Sequence, residues 1–158
     1  GEAFQFLRLG TFLERADCTA RILDVKYHIL FNSLNAIGSA EDYYQWGALL
    51  RSVSAFENYQ KLYHDGIRPS HIAEMLILNA DMPRSLQSCL QELVAILDKL
   101  PPERARFIRQ LSENMHTKLR HTTIEDILAQ GLHEFLTAFL SSISELSQLI
   151  DDAYVTHH

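Results

Sequence analysis

Between Glu2 and Leu34 the chain has one glycine, Gly10, and no proline. The stretch "FLRLGTFLERADCTARILDVKYHIL", Phe6 to Leu30, therefore holds nothing that breaks a helix. The span predicts a single helix of about 50 Å at 1.5 Å of rise per residue, longer than the roughly 30 Å width of a small domain. In a chain of 158 residues, a single domain by length, everything else must fold around that rod. Only 6 glycines and 4 prolines occur in the whole sequence, which is little material for tight turns. Long helices are expected throughout.

Placed on a wheel at about 100° per residue, the first helix shows two apolar arcs. Leu9, Phe12, Leu13, Ala16, Ala20, Leu23, Tyr27 and Leu30 form one, and Phe4, Leu7, Cys18, Ile22, Val25 and Ile29 form another, nearly opposite. A surface helix needs one apolar face, so two arcs predict a central helix buried on both sides. Between them runs a stripe of Glu14, Asp17, Arg21, Asp24 and His28, with Arg8, Arg15 and Lys26 in the other gap. Charges on a buried helix must be paired, and Glu14 or Asp17 with Arg21, and Asp24 with Arg21 or His28, are within i,i+3/i+4 reach. Two interpretations stand open: a structural ion-pair network that fixes register, or a polar pocket for an anionic or amine-bearing ligand. On either, Arg21→Ala is expected to destabilise the fold strongly and a change at Lys99 is not.

Further along, "NAIGSAED" reads as a loop with Ser39 as N-cap and Asp42 in the capping-box position. "YYQWGALLRSVSAFENYQKLYH" reads as a second helix, bent near Ser52 and Ser54. After the turn "DGIRPS", Ser70 is expected to cap a short helix through Leu78. Asp81 is expected to cap the next, with Pro83 in its first turn and Leu86, Cys89, Leu90, Leu93 and Leu97 on one face, stopping before Pro101-Pro102. Glu103 to Leu119 reads as a fifth helix, and Thr123 as the cap of a long last one. In that helix Ile124, Ile127, Leu128, Leu132, Phe135, Leu136, Phe139, Leu140, Ile143, Leu146 and Ile150 recur at helical spacing. No stretch alternates with period two. The expected fold is an all-α helical bundle of five to six helices in a single domain, 1–158, with the first and last helices longest.

Composition excludes several function classes. A net charge of −6 with no Lys/Arg cluster argues against a nucleic-acid partner. No apolar run is long enough to cross a membrane and no signal peptide is visible, so a cytoplasmic protein is expected. The opening at Gly1, without methionine, reads as a piece of something longer. Cys18 and Cys89 lie far apart on apolar positions and are expected to be buried, reduced thiols. Glu113-x-x-His116 has the spacing of di-metal carboxylate bundles but lacks the second such pair, so no metal is expected. Ser85 and Ser88 have no visible His/Asp partner, and no glycine-rich phosphate loop occurs. His64 and His71 flank a turn. Trp46, Tyr43, Tyr44 and Tyr59 are either an aromatic ligand wall or core.

The first helix, together with "WGALLRSVSAFENY" (Trp46 to Tyr59) and "LILNADMPRSL" (Leu76 to Leu86), closely resembles the Alpha-E domain family. Its members are bacterial, all-helical proteins named for a Glu-Arg motif, standing here as Glu14-Arg15, and this chain resembles the C-terminal half of a full member. The resemblance implies a setting rather than a reaction. Alpha-E domains accompany ATP-grasp-type ligases and transglutaminase-like proteins in systems expected to make or modify peptides. Pro83, Arg84 and Ser85 match a second signature, which also reads as a helix start.

Together these features predict an interaction or scaffold module with no catalytic residue, no cofactor and no metal, and with protein partners of those two kinds. The alternative is a ligand-binding or catalytic unit whose charged pocket is lined by Glu14, Arg15, Asp17, Arg21, Asp24 and Arg84. A fragment carrying an uncovered apolar arc is expected to form a homo-oligomer through its first helix.

Overall fold

The computed structural model describes residues 1–31, 40–64 and 66–157, and the side chains of all of these except 29–31, 40–42 and 156–157. Among the described residues there is no strand. The helices are α1 (Glu2–Phe31), α2 (Ala40–Ser52), α3 (Phe56–Leu62), α4 (Pro69–Leu78), α5 (Leu86–Leu97), α6 (Arg106–Arg120), α7 (Ile124–Gln130) and α8 (Leu132–His157). A single 3-10 turn, Pro102–Arg104, precedes α6. The fold is all-α, and α1 and α8, of 30 and 26 residues, are the longest helices as expected. The count of eight exceeds five to six because two expected helices are each broken once.

Both breaks have local causes. Ser54 takes a left-handed conformation, φ 56°, at the end of α2. Its N–H donates to the Arg51 carbonyl (3.0 Å) and that of Ala55 to the Leu50 carbonyl (2.8 Å), which satisfies the last carbonyls of α2 and turns the chain. The predicted bend is thus a full stop. Thr123 does cap a helix, accepting from the Asp126 N–H at 3.1 Å, but that helix is the short α7. Gly131, at φ 114°, ends it, and α8 starts again at Leu132.

Two expected start signals are displaced. α4 begins at Pro69, whose missing N–H costs nothing in a first turn, so Ser70 lies inside the helix and is not its cap. α5 is capped by Ser85 instead of Asp81: the Ser85 hydroxyl accepts from the Ser88 N–H at 3.0 Å and donates to the Asn79 carbonyl at 2.6 Å. Asp81 sits in the preceding turn, its N–H donating to Asn79 Oδ1 at 2.8 Å. Ser39, expected to cap α2, lies outside the described residues.

α1 packs mainly against α8 and α5, with α2 and α4 also in contact. Phe6, Leu9, Leu13, Ala16, Ala20 and Leu23 form its buried face, and each large side chain there contributes about 1.5–3 kcal/mol from burial. The opposite arc contradicts the expectation of a helix buried on both sides. Phe4, Leu7 and Val25 are 58%, 70% and 54% exposed, because none of the described elements lies over them, while Ile22 of the same arc is half-buried against the core and the side chain of Ile29 lies outside the described residues. α5 carries the core partners, with Leu86, Cys89, Leu90, Leu93 and Leu97 all buried as expected.

Candidate functional site

Uncovering one side of α1 changes what its charge stripe is. Asp17 and Arg21 do pair, at 2.8 Å, but on the surface: the Arg21 side chain is 65% exposed. Glu14 is exposed and makes no ion pair among the described residues. Asp24 pairs with neither Arg21 nor His28. It meets His133 Nδ1 of α8 at 2.8 Å instead, a partner 109 positions away that no local spacing could announce. The expected buried network is therefore a solvated edge with one tie across to α8.

The other gap of α1 is better ordered. Phe12 is half-buried, and its ring carries the Arg15 guanidinium at 5.0 Å and that of Arg8 at 5.9 Å from its centroid. Each cation gains from the ring face and loses rotamer freedom beforehand. The positive charges of Arg15 and of Arg84, which directly precedes the Ser85 cap, both favour the ionised form of the Cys89 thiol. The arginines of the Glu-Arg and Pro-Arg-Ser signatures, 69 positions apart, thus both act electrostatically on one thiol of α5. Neither arginine has a carboxylate partner among the described residues.

Burial outweighs those two charges and pushes the Cys89 thiol up to about 12, so it is protonated at neutral pH and is not a nucleophile there. Its Sγ faces the Pro83 carbonyl at 4.0 Å. Cys18, in contrast, is exposed, contrary to the expectation of two buried thiols, because it belongs to the uncovered arc.

The remaining constellations separate. Glu113 is exposed and pairs loosely with Arg109 at 4.0 Å, while burial and Arg120 lower the His116 pKa. Among the described residues, no three His, Cys, Asp or Glu side chains come together as a metal would need. Trp46 and Tyr59 are core, Trp46 lying edge-on to Tyr27 at 5.5 Å, whereas Tyr43 and Tyr44 are exposed, so the four form no wall. His64 is exposed, and His71 stacks on Tyr63 at 4.3 Å. Two ion pairs went unread in the sequence: Arg104 with Glu2 at 2.8 Å, and Arg109 with Asp98. Both join ends of different helices, where periodicity carries no information. No described helix is long and apolar enough to cross a membrane.

No curated protein and no solved structure matches this chain. The Alpha-E family, described as a predicted alpha-helical domain with a conserved ER motif, matches residues 1–155. With a match over nearly its whole length and an all-helical fold, the chain belongs to the Alpha-E family.

Proposed function

We propose that this chain is a helical interaction module that binds and positions protein partners and carries out no chemistry itself. The observation that supports this is the outward display of α1: Glu14 exposed, and Leu7 and Val25 more than half exposed, on the rigid central helix of the bundle. Large apolar side chains set in a row on a surface cost solubility and mark contact surfaces. The setting proposed for it, which the family resemblance implies, is a cytoplasmic bacterial system in which an ATP-grasp-type ligase and a transglutaminase-like protein synthesise or modify a peptide. In it the ligase brings its own nucleotide site and the helical module holds components together. The test is co-expression of the protein with an ATP-grasp-type ligase and a transglutaminase-like protein from its own organism. Stable co-purification of either is expected; separate elution of all three overturns the proposal.

A further inference from the structure

The exposed arc of α1 has an order that a merely uncovered surface lacks. Phe4, Leu7, Thr11, Cys18 and Val25 share one side of the helix, with exposed Glu14 between Thr11 and Cys18 and half-buried Ile22, which also touches the core, between Cys18 and Val25, so that the row proceeds at three- and four-residue steps. Over 21 residues they draw a seam of about 32 Å, the geometry that a second helix packs against. One border of this seam is uniformly basic. Arg8, Arg15 and Lys26 lie about 60–80° around the helix from its centre, and none of them is ion-paired among the described residues. Arg8 and Arg15 are held in place over the Phe12 ring. A partner need not order them, so much of the entropy cost of an ion pair is already met. The other border carries Glu14 and the internally paired Arg21 and has no such bias.

We infer that the seam of α1 receives one amphipathic helix from a protein partner, with acidic side chains along the border that faces Arg8, Arg15 and Lys26. This rests on the interaction-module function proposed above and specifies its partner. In helix pairs the apolar row supplies affinity and the flanking charges select partner and orientation. A second copy of this chain is a poorer occupant: lying antiparallel, it sets the three cations of one copy against the three of the other. An anionic membrane is poorer too, since Glu14 stands on the seam and the chain as a whole is at −6.

The probes are two synthetic amphipathic peptides of about four heptads with the same leucine face. One is bordered by glutamate and the other by lysine, and binding to the full chain is read by fluorescence anisotropy. The expected result is at least tenfold tighter binding of the glutamate peptide. Leu7→Asp with Val25→Asp should remove binding; both sites are surface positions, and unchanged circular dichroism checks the fold. The triple charge reversal Arg8→Glu, Arg15→Glu, Lys26→Glu should invert the preference toward the lysine peptide. No binding, equal binding of the two peptides, or binding indifferent to these substitutions overturns the inference. So does a homodimer that Val25→Asp dissolves, or Val25-dependent binding to phosphatidylserine vesicles. If the ligase or the transglutaminase-like protein co-purifies equally with the Leu7→Asp/Val25→Asp variant, the seam is refuted while the module function stands. If the glutamate peptide binds as expected but neither protein co-purifies, the opposite holds.

Discussion

Leu7 and Leu9 stand two residues apart on α1, and the fold treats them oppositely: one is 70% exposed, the other fully buried. Leu9→Ala should cost about 2–5 kcal/mol in urea unfolding, since it opens a cavity between α1 and its neighbours. Leu7→Ala should change stability by no more than about 0.5 kcal/mol. The thiols divide in the same way. Native protein should titrate one reactive thiol with a disulfide reagent, at Cys18, and a second, Cys89, only after denaturation. Arg21→Ala, expected from the sequence to be severe, should now leave the melting temperature close to that of a Lys99 variant, because its bridge is bathed in water.

The periodicity of α1 placed Leu9, Leu13, Ala16, Ala20 and Leu23 on one face, but it left out the buried Phe6 and could not tell which of two arcs the bundle would cover. That choice belongs to α5 and α8, whose residues are far away in sequence. His133 shows the same limit. Asp24 accepts a hydrogen bond from its ring and raises its pKa above 6.5, so the tie is fully present below that pH and is lost as pH rises through the raised value. The melting-temperature loss of His133→Asn should accordingly be larger at about pH 5.5 than at about pH 8.5. A pH-independent loss would show that the contact is not ionic.

At the scale of the element, helix existence was plain in the sequence and helix ends were not. Thr123 was visible as a cap, but for α5 the sequence offered both Asp81 and the helix start at Pro83, Arg84 and Ser85, and only the Asn79 carbonyl, which the Ser85 hydroxyl also bonds, decides between them. Gly131 was the available signal for the break between α7 and α8, and it was overridden by an apolar pattern that continues across it. A side chain there would be forced into a backbone conformation that L-residues rarely adopt, with its Cβ 2.0 Å from Glu134 Oε2 unless that flexible carboxylate moves. Gly131→Ala should therefore cost about 1–3 kcal/mol by thermal unfolding. Stabilisation instead would mean that α7 and α8 can join into one continuous helix.

At the scale of the whole molecule, α1 is the common partner of α2, α4, α5 and α8. Its middle turns and those of α4 and α5, rich in fully buried side chains, should show the slowest amide hydrogen exchange, and the first turn of α1, whose leading N–H groups have no intrahelical partner, should exchange fast. Uniform protection would contradict a bundle built around one rod. Cys18 gives that rod a further property. Its thiol opens to water in the middle of the apolar seam, on the side of the molecule that the bundle leaves bare. Air would turn the seam into a place where two molecules lock together by a covalent bond, so a preparation kept without reductant should accumulate a pair that boiling alone does not separate. The same atom serves as a reporter: a nitroxide attached there would lose mobility when a partner helix settles over it.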